Sequence, residues 1–170
     1  PSGLIEEGIA ATFSLKQAAK SPAWLSTNKN GGYQVMRASG FTPVRISDHA
    51  LEDKLASYSR VDDCLAETYE DRGHTFLLLT FPTAKATHCY DFNSEKWHER
   101  PLWIQETNSE DAAHAVFHCF AFNKHLMGDR TTGALYEMSN AFGTEVDERV
   151  MRRVRRAPSR GPVLVPPRRR

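Results

Sequence analysis

The sequence predicts a mainly β protein made of antiparallel, blade-like four-stranded meanders of a partial β-propeller, with one short helix inserted near 47–58. Three observations carry this. Apolar and polar residues alternate with period two along most of the chain, turn residues punctuate the runs at close spacing, and a single stretch switches to helical periodicity. A chain of 170 residues with 40% apolar and 25% charged residues has the composition of a globular domain.

The first unit is predicted near 11–40. Ala11 to Lys16 alternates, Ala23-Trp24-Leu25 follows a proline, and Tyr33 to Arg37 leaves the turn Asn28-Lys29-Asn30-Gly31-Gly32. Next comes the helix, with Leu51, Leu55 and Tyr58 on one face and Asp48, Glu52 and Asp53 in its first half, where the helix dipole favours acids. A second unit near 64–103 follows, with strands over 65–69, 74–81, 86–92 and 96–100 joined by short turns. A third, near 113–156, starts with the apolar run 115–122 and continues through the hairpin between Lys124 and Met138. His88-Cys89-Tyr90-Asp91-Phe92-Asn93 is echoed by His118-Cys119-Phe120-Ala121-Phe122-Asn123, which suggests duplication. Leu78, Phe76, Tyr90, Phe92, Phe117, Phe120 and Phe122 are expected in the core.

Charge divides the chain. Residues 1–148 carry 13 Lys and Arg against 21 Asp and Glu, whereas 149–170 hold nine arginines and no acid. Residues 1–156 are read as the partial propeller and 157–170 as a flexible Arg/Pro-rich arm, since its prolines forbid helix and its apolar content is low. Arg149, Arg152, Arg153, Arg155, Arg156 and Arg160 are candidate contacts to DNA or an acidic partner. No apolar run approaches the roughly 18 residues of a membrane span, which argues against membrane insertion. The N-terminus has no signal-peptide pattern and reads like a cut within a longer chain. Three scattered cysteines suggest free thiols in a reducing compartment.

Chemistry-bearing patterns are sparse. Adjacent His88 and Cys89 point to opposite faces of a strand, as do His118 and Cys119, so a cross-strand His88/His118 metal site is disfavoured against sheet packing. GxSxG, HExxH, GxGxxG and GxxxxGK[ST] strings do not occur. No catalytic residue, metal or cofactor is therefore assigned. Asp129-Arg130-Thr131-Thr132-Gly133 reads as a turn, and Trp24, Trp97 and Trp103 as packing residues.

A series of motifs in order then resembles a known family. Gly40-Phe41-Thr42-Pro43-Val44-Arg45-Ile46-Ser47-Asp48-His49-Ala50-Leu51-Glu52 leads into Ser57-Tyr58-Ser59-Arg60. Gly73-His74-Thr75-Phe76, Leu79-Thr80-Phe81-Pro82-Thr83-Ala84, Ala86-Thr87, Tyr90-Asp91 and Trp97-His98-Glu99-Arg100 follow. Gly128-Asp129-Arg130, Gly133, Leu135-Tyr136-Glu137 and Arg152 to Pro158 complete the series. Over roughly residues 5–158 the chain resembles the packaged-DNA stabilisation protein, or tail accessory factor, of short-tailed bacteriophages. The resemblance implies a β-propeller virion protein, assembled in the bacterial host cytoplasm as a ring beneath the portal. Implied partners are other copies of itself, the portal adaptor, tail needle and tailspike proteins, and packaged double-stranded DNA held non-specifically. No catalysis is implied. Family members are longer, so the chain reads as a segment of the propeller, and the tail after Pro158 departs from the family pattern.

The acidic body suits a channel wall along which DNA slides, with Asp62, Asp63, Glu67, Glu70 and Asp71 as candidate lumen residues. Two other functions compete with the structural one. A carbohydrate- or peptide-binding module requires exposed tryptophans, and a glycosidase requires paired carboxylates such as Asp91 and Glu99 in one cleft.

Overall fold

The computed structural model describes residues 8–104 and 107–139 and the backbone of Val163–Val165. Two compact units are distinguished, the first covering Pro1–Leu102 with Glu110–Ala113 and the second Trp103–Ser109 with His114–Arg170. Among the described residues the chain is mainly β, with one short α-helix, and each large sheet is a four-stranded antiparallel meander in chain order.

In the first sheet β1 (Lys16–Ala18), β2 (Ser21–Thr27), β3 (Tyr33–Ser39) and β4 (Thr42–Arg45) pair in sequence. The strand expected over 11–16 is instead a 3-10 turn at Thr12–Ser14 followed by β1. Buried Ser14 is the cause. Its hydroxyl donates to the Ala11 carbonyl at 2.7 Å and accepts from the Leu25 amide at 3.2 Å, giving the backbone an alternative to a ladder. The β1–β2 reversal has Ala19 and Lys20 at φ 46° and 68°, a two-residue hairpin turn without the usual Gly or Asn. Pro43 is tolerated because β4 lies at the sheet edge. The sheet therefore runs from Lys16 to Arg45, five residues later than the unit read near 11–40.

Helix α1 (His49–Ser57) begins where the Asp48 carboxylate accepts from the Leu51 amide at 2.8 Å, satisfying one of the free amides of the first turn. Its Leu51 and Leu55 are buried. The second sheet orders β5 (Leu65–Asp71), β6 (His74–Phe81), β7 (Ala86–Asp91) and β8 (Lys96–Glu99), close to the predicted strands. Its register sets Leu65 opposite Thr80, Leu78 opposite Cys89 and Tyr90 opposite Trp97. Inward residues of both sheets and the helix share one core: Ala23, Leu25 and Val35, then Leu51 and Leu55, then Leu77, Leu79, Phe81 and Tyr90. Leu78 is buried on the opposite face, while Phe76 and Phe92 are half-buried.

After the short pair β9 (Leu102–Ile104) and β10 (Ser109–Asp111), the third sheet orders β11 (Ala115–Ala121), β12 (Lys124–Asp129), β13 (Leu135–Ser139) and β14 (Val163–Val165). Its fourth strand comes from 163–165; residues 140–162, and the rest of the expected arm, lie outside the described residues. Here two expectations fail. Phe117, Phe120 and Phe122 are 52%, 60% and 90% exposed, not core. A register shift between Ala115 and Phe117 resets the alternation, and Phe122 with Asn123 forms the hairpin turn at φ 54° and 58°. The echo does not mark a blade repeat either, because His88 lies on the third strand of its sheet and His118 on the first of its own.

Candidate functional site

The motif residues Pro43 to Arg100 converge on the joint between helix, first sheet and second sheet. The Val35 carbonyl accepts from the Ile46 amide and the Val35 amide donates to Ser47 Oγ at 3.1 Å, so the segment after β4 continues along β3. Ser47 Oγ donates to Glu52 Oε1 at 2.5 Å, and Arg45 Nε lies 3.5 Å from the same oxygen. From the second sheet, Trp97 Nε1 donates to the Ile46 carbonyl at 2.8 Å while its ring packs on Tyr90. Tyr58 ends the helix with its hydroxyl 2.7 Å from His88 Nε2, beside an ion pair of Lys54 with Glu99. Burial, then the Lys54 charge, lowers the His88 pKa to about 4, so the imidazole is neutral near pH 7.

On the other side of the second sheet Arg100 Nη1 donates to Tyr69 Oη at 2.6 Å, and burial raises the Tyr69 pKa above its ordinary value. His98 lies opposite Cys89 in the ladder. Phe81 is fully buried, and Pro82 opens the following turn. Burial pushes the Cys64 and Cys89 thiols up, which keeps them protonated and poorly nucleophilic.

The remaining motif residues build turns. Gly73 (φ 80°) completes a hairpin turn with Arg72, and His74 Nδ1 lies 2.8 Å from Asp91 Oδ2. Asp91 also accepts from the Asn93 amide at 2.9 Å and from Ser94 Oγ at 2.9 Å. In the third sheet Asp129 accepts from the Thr131 amide and hydroxyl, both at 2.6 Å, the Thr132 amide at 2.8 Å and Tyr136 Oη at 3.2 Å. Burial opposes the carboxylate, but the bonds from Thr131, Thr132 and Tyr136 outweigh it and lower its pKa to about 2. Gly133 (φ 71°) closes that turn, and Gly128 sits where a Cβ would come 3.6 Å from Phe117 Cβ.

These side chains are thus engaged in holding the sheets, turns and helix. Asp91 and Glu99 do not form a carboxylate pair: Glu99 lies opposite His88, three residues from Asp91, which puts the two on opposite faces. Trp24 is 3% exposed and Trp97 half-buried; Trp103, at 37%, is the most open of the three. Among the described residues no three His, Cys, Asp or Glu side chains gather as a metal site. Of the candidate lumen acids, Asp62 pairs with Arg60 at 2.6 Å, Asp63 accepts from the Thr83 amide at 2.8 Å and Glu67 pairs with Lys16 at 3.2 Å. Arg149, Arg152, Arg153, Arg155, Arg156 and Arg160 lie outside the described residues.

What sequence reasoning missed is the exposed apolar surface of the third sheet, with Phe117 and Leu135 on one face and Phe120 and Phe122 at the hairpin tip. The Asn at the second turn position was its available signal. A family model described as Bacteriophage P22 Gp10, beta-propeller, matches residues 1–143. The chain belongs to this phage-stabilisation family. The family is one of phage structural proteins concerned with packaged DNA, not a known enzyme family, and membership makes the chain a virion-associated β-propeller protein. No curated protein matches the chain.

Proposed function

We propose that the chain forms part of the tail hub of a phage or prophage virion, the ring and tube that close the portal channel and hold packaged DNA. The family match over residues 1–143 carries this reading. Two features of the chain support it. The motif residues brace the fold and form no catalytic geometry, as suits a scaffold. The excess of acids over bases in residues 1–148 suits a wall that DNA must pass without adhering. In this reading the partners are other copies of the chain, the portal adaptor, the tail needle and the tailspikes. The arginines from Arg149 to Arg160 face an acidic neighbour or DNA, and assembly takes place in the host cytoplasm.

The test adds the purified chain to DNA-filled particles that lack tails and follows genome leakage with time. Slower leakage with stoichiometric binding is expected. Unchanged leakage without binding refutes the proposal. Replacing Arg149, Arg152, Arg153, Arg155, Arg156 and Arg160 together by Gln should weaken attachment most at low salt, where screening is least.

A further inference from the structure

The third sheet gathers soft metal ligands on one face. Antiparallel pairing sets His118 directly opposite Met127, and His125 directly opposite both Phe120 on β11 and Met138 on β13. Residues opposed in a ladder share a face, with Cβ atoms roughly 4.5–5.5 Å apart. Two imidazoles and two thioethers therefore stand together, while Cys119, one residue from His118, points to the opposite face. The imidazoles already touch: His118 Nε2 lies 3.0 Å from His125 Nδ1. Two metal–nitrogen bonds of roughly 2 Å meeting at about 90–110° require nitrogens about 3 Å apart, which is their spacing here, and the rings, stacked with centroids 5.2 Å apart and planes at 29°, would each turn to bring their lone pairs to a common point. Phe120 packs edge-on against His125 with ring centroids 4.9 Å apart, and Met127 and Met138 are 2% and 6% exposed, so one side of the pair is apolar.

We propose that His118 and His125, with a thioether from Met138 or Met127, form a binding site for copper(I). The ligand chemistry makes the choice. Thioether sulfur favours the soft monovalent ion, imidazole accepts it equally well, and the absence of a carboxylate from this quartet disfavours magnesium, calcium and manganese. This site is independent of the assembly role, since its ligands lie on β11, β12 and β13 and not among the motifs at the helix joint. Bound metal would pin β11 to β12 and β13 beside the exposed Phe120 and Phe122.

The test is an anaerobic titration of the whole chain with copper(I) against a coloured chelator, repeated with zinc(II). One equivalent of copper(I) is expected. His118→Gln and His125→Gln should each weaken it by roughly tenfold or more. Met127→Leu and Met138→Leu, singly and together, conserve volume and report on the thioethers. The double variant should lose roughly tenfold in copper(I) affinity while zinc(II) affinity stays unchanged. Cys119→Ser should bind as the parent does, and circular dichroism checks that each variant is folded. Absence of stoichiometric copper(I) binding overturns the proposal. So does retention of full affinity in both histidine variants or in the double methionine variant, or loss of binding in Cys119→Ser.

Discussion

Acidifying the protein from pH 7 to pH 5 should remove about 2 kcal/mol of stability through His88 alone. The folded protein holds this imidazole near 4, whereas the unfolded chain titrates it near 6.5. Between those values the unfolded state binds more protons, so His88's contribution is full above 6.5 and is lost as pH falls toward 4. The whole gap of about 2.5 pH units, at roughly 1.4 kcal/mol per unit, is worth about 3.5 kcal/mol, and a little over half of it falls between pH 7 and pH 5. Burial supplies most of this, because a charged ring would sit beside Phe81 and near Lys54 with its Tyr58 contact already made. Asp91 and Asp129 have lowered pKa values, so their contributions fade below about pH 4, outside this window. Urea denaturation at pH 7, 6, 5.5 and 5 reads the effect as a falling midpoint at constant slope. His88→Gln keeps a hydrogen-bonding group for Tyr58 and should flatten the dependence. Equal stability at pH 7 and pH 5, or the same decline in His88→Gln, would refute the reasoning.

Phe81→Ala should cost about 3–5 kcal/mol, since the ring is fully buried in the core shared by both sheets and the helix, whereas Phe122→Ala should stay within about 0.5 kcal/mol; paired urea melts measure both. Asp129→Ala removes the acceptor of four hydrogen bonds and should destabilise by about 2 kcal/mol in the same assay, with Asp129→Asn retaining part of the loss. Gly73→Ala meets no atom within 4 Å, so any loss is conformational, and thermal melts should show a cost of about 1 kcal/mol from its φ of 80°.

Much of the first unit was legible because its signals agree. The helix carries a capping Asp48 and leucines spaced for one buried face, and the second sheet has strands whose turns contain Gly73 or Pro82. The first sheet was displaced because Ser14 replaces a ladder with side-chain bonds and Ala19-Lys20 turns the chain without a turn-type residue. The third sheet was misread for a different reason. Its run from Ala115 to Phe122 is apolar on both faces, so alternation gave no parity, and aromatics are exposed on both, Phe117 on the face of Leu135 and Phe120 on the face of His125. Motif residues were found by resemblance, yet their physical roles needed coordinates. Ser47, Glu52, Tyr58, Trp97 and Arg100 all act through partners at least five residues away, most of them thirty or more. The soft-ligand face was hidden because its histidines and methionines meet only through strand pairing.

A structural component of a phage tail binds at one vertex of the particle. Imaging tailless DNA-filled particles after adding the labelled chain, and averaging density at each vertex, tests it most directly. Extra density is expected in a ring at the portal vertex alone. Particles with no added density, or with label spread evenly over all vertices, would contradict it.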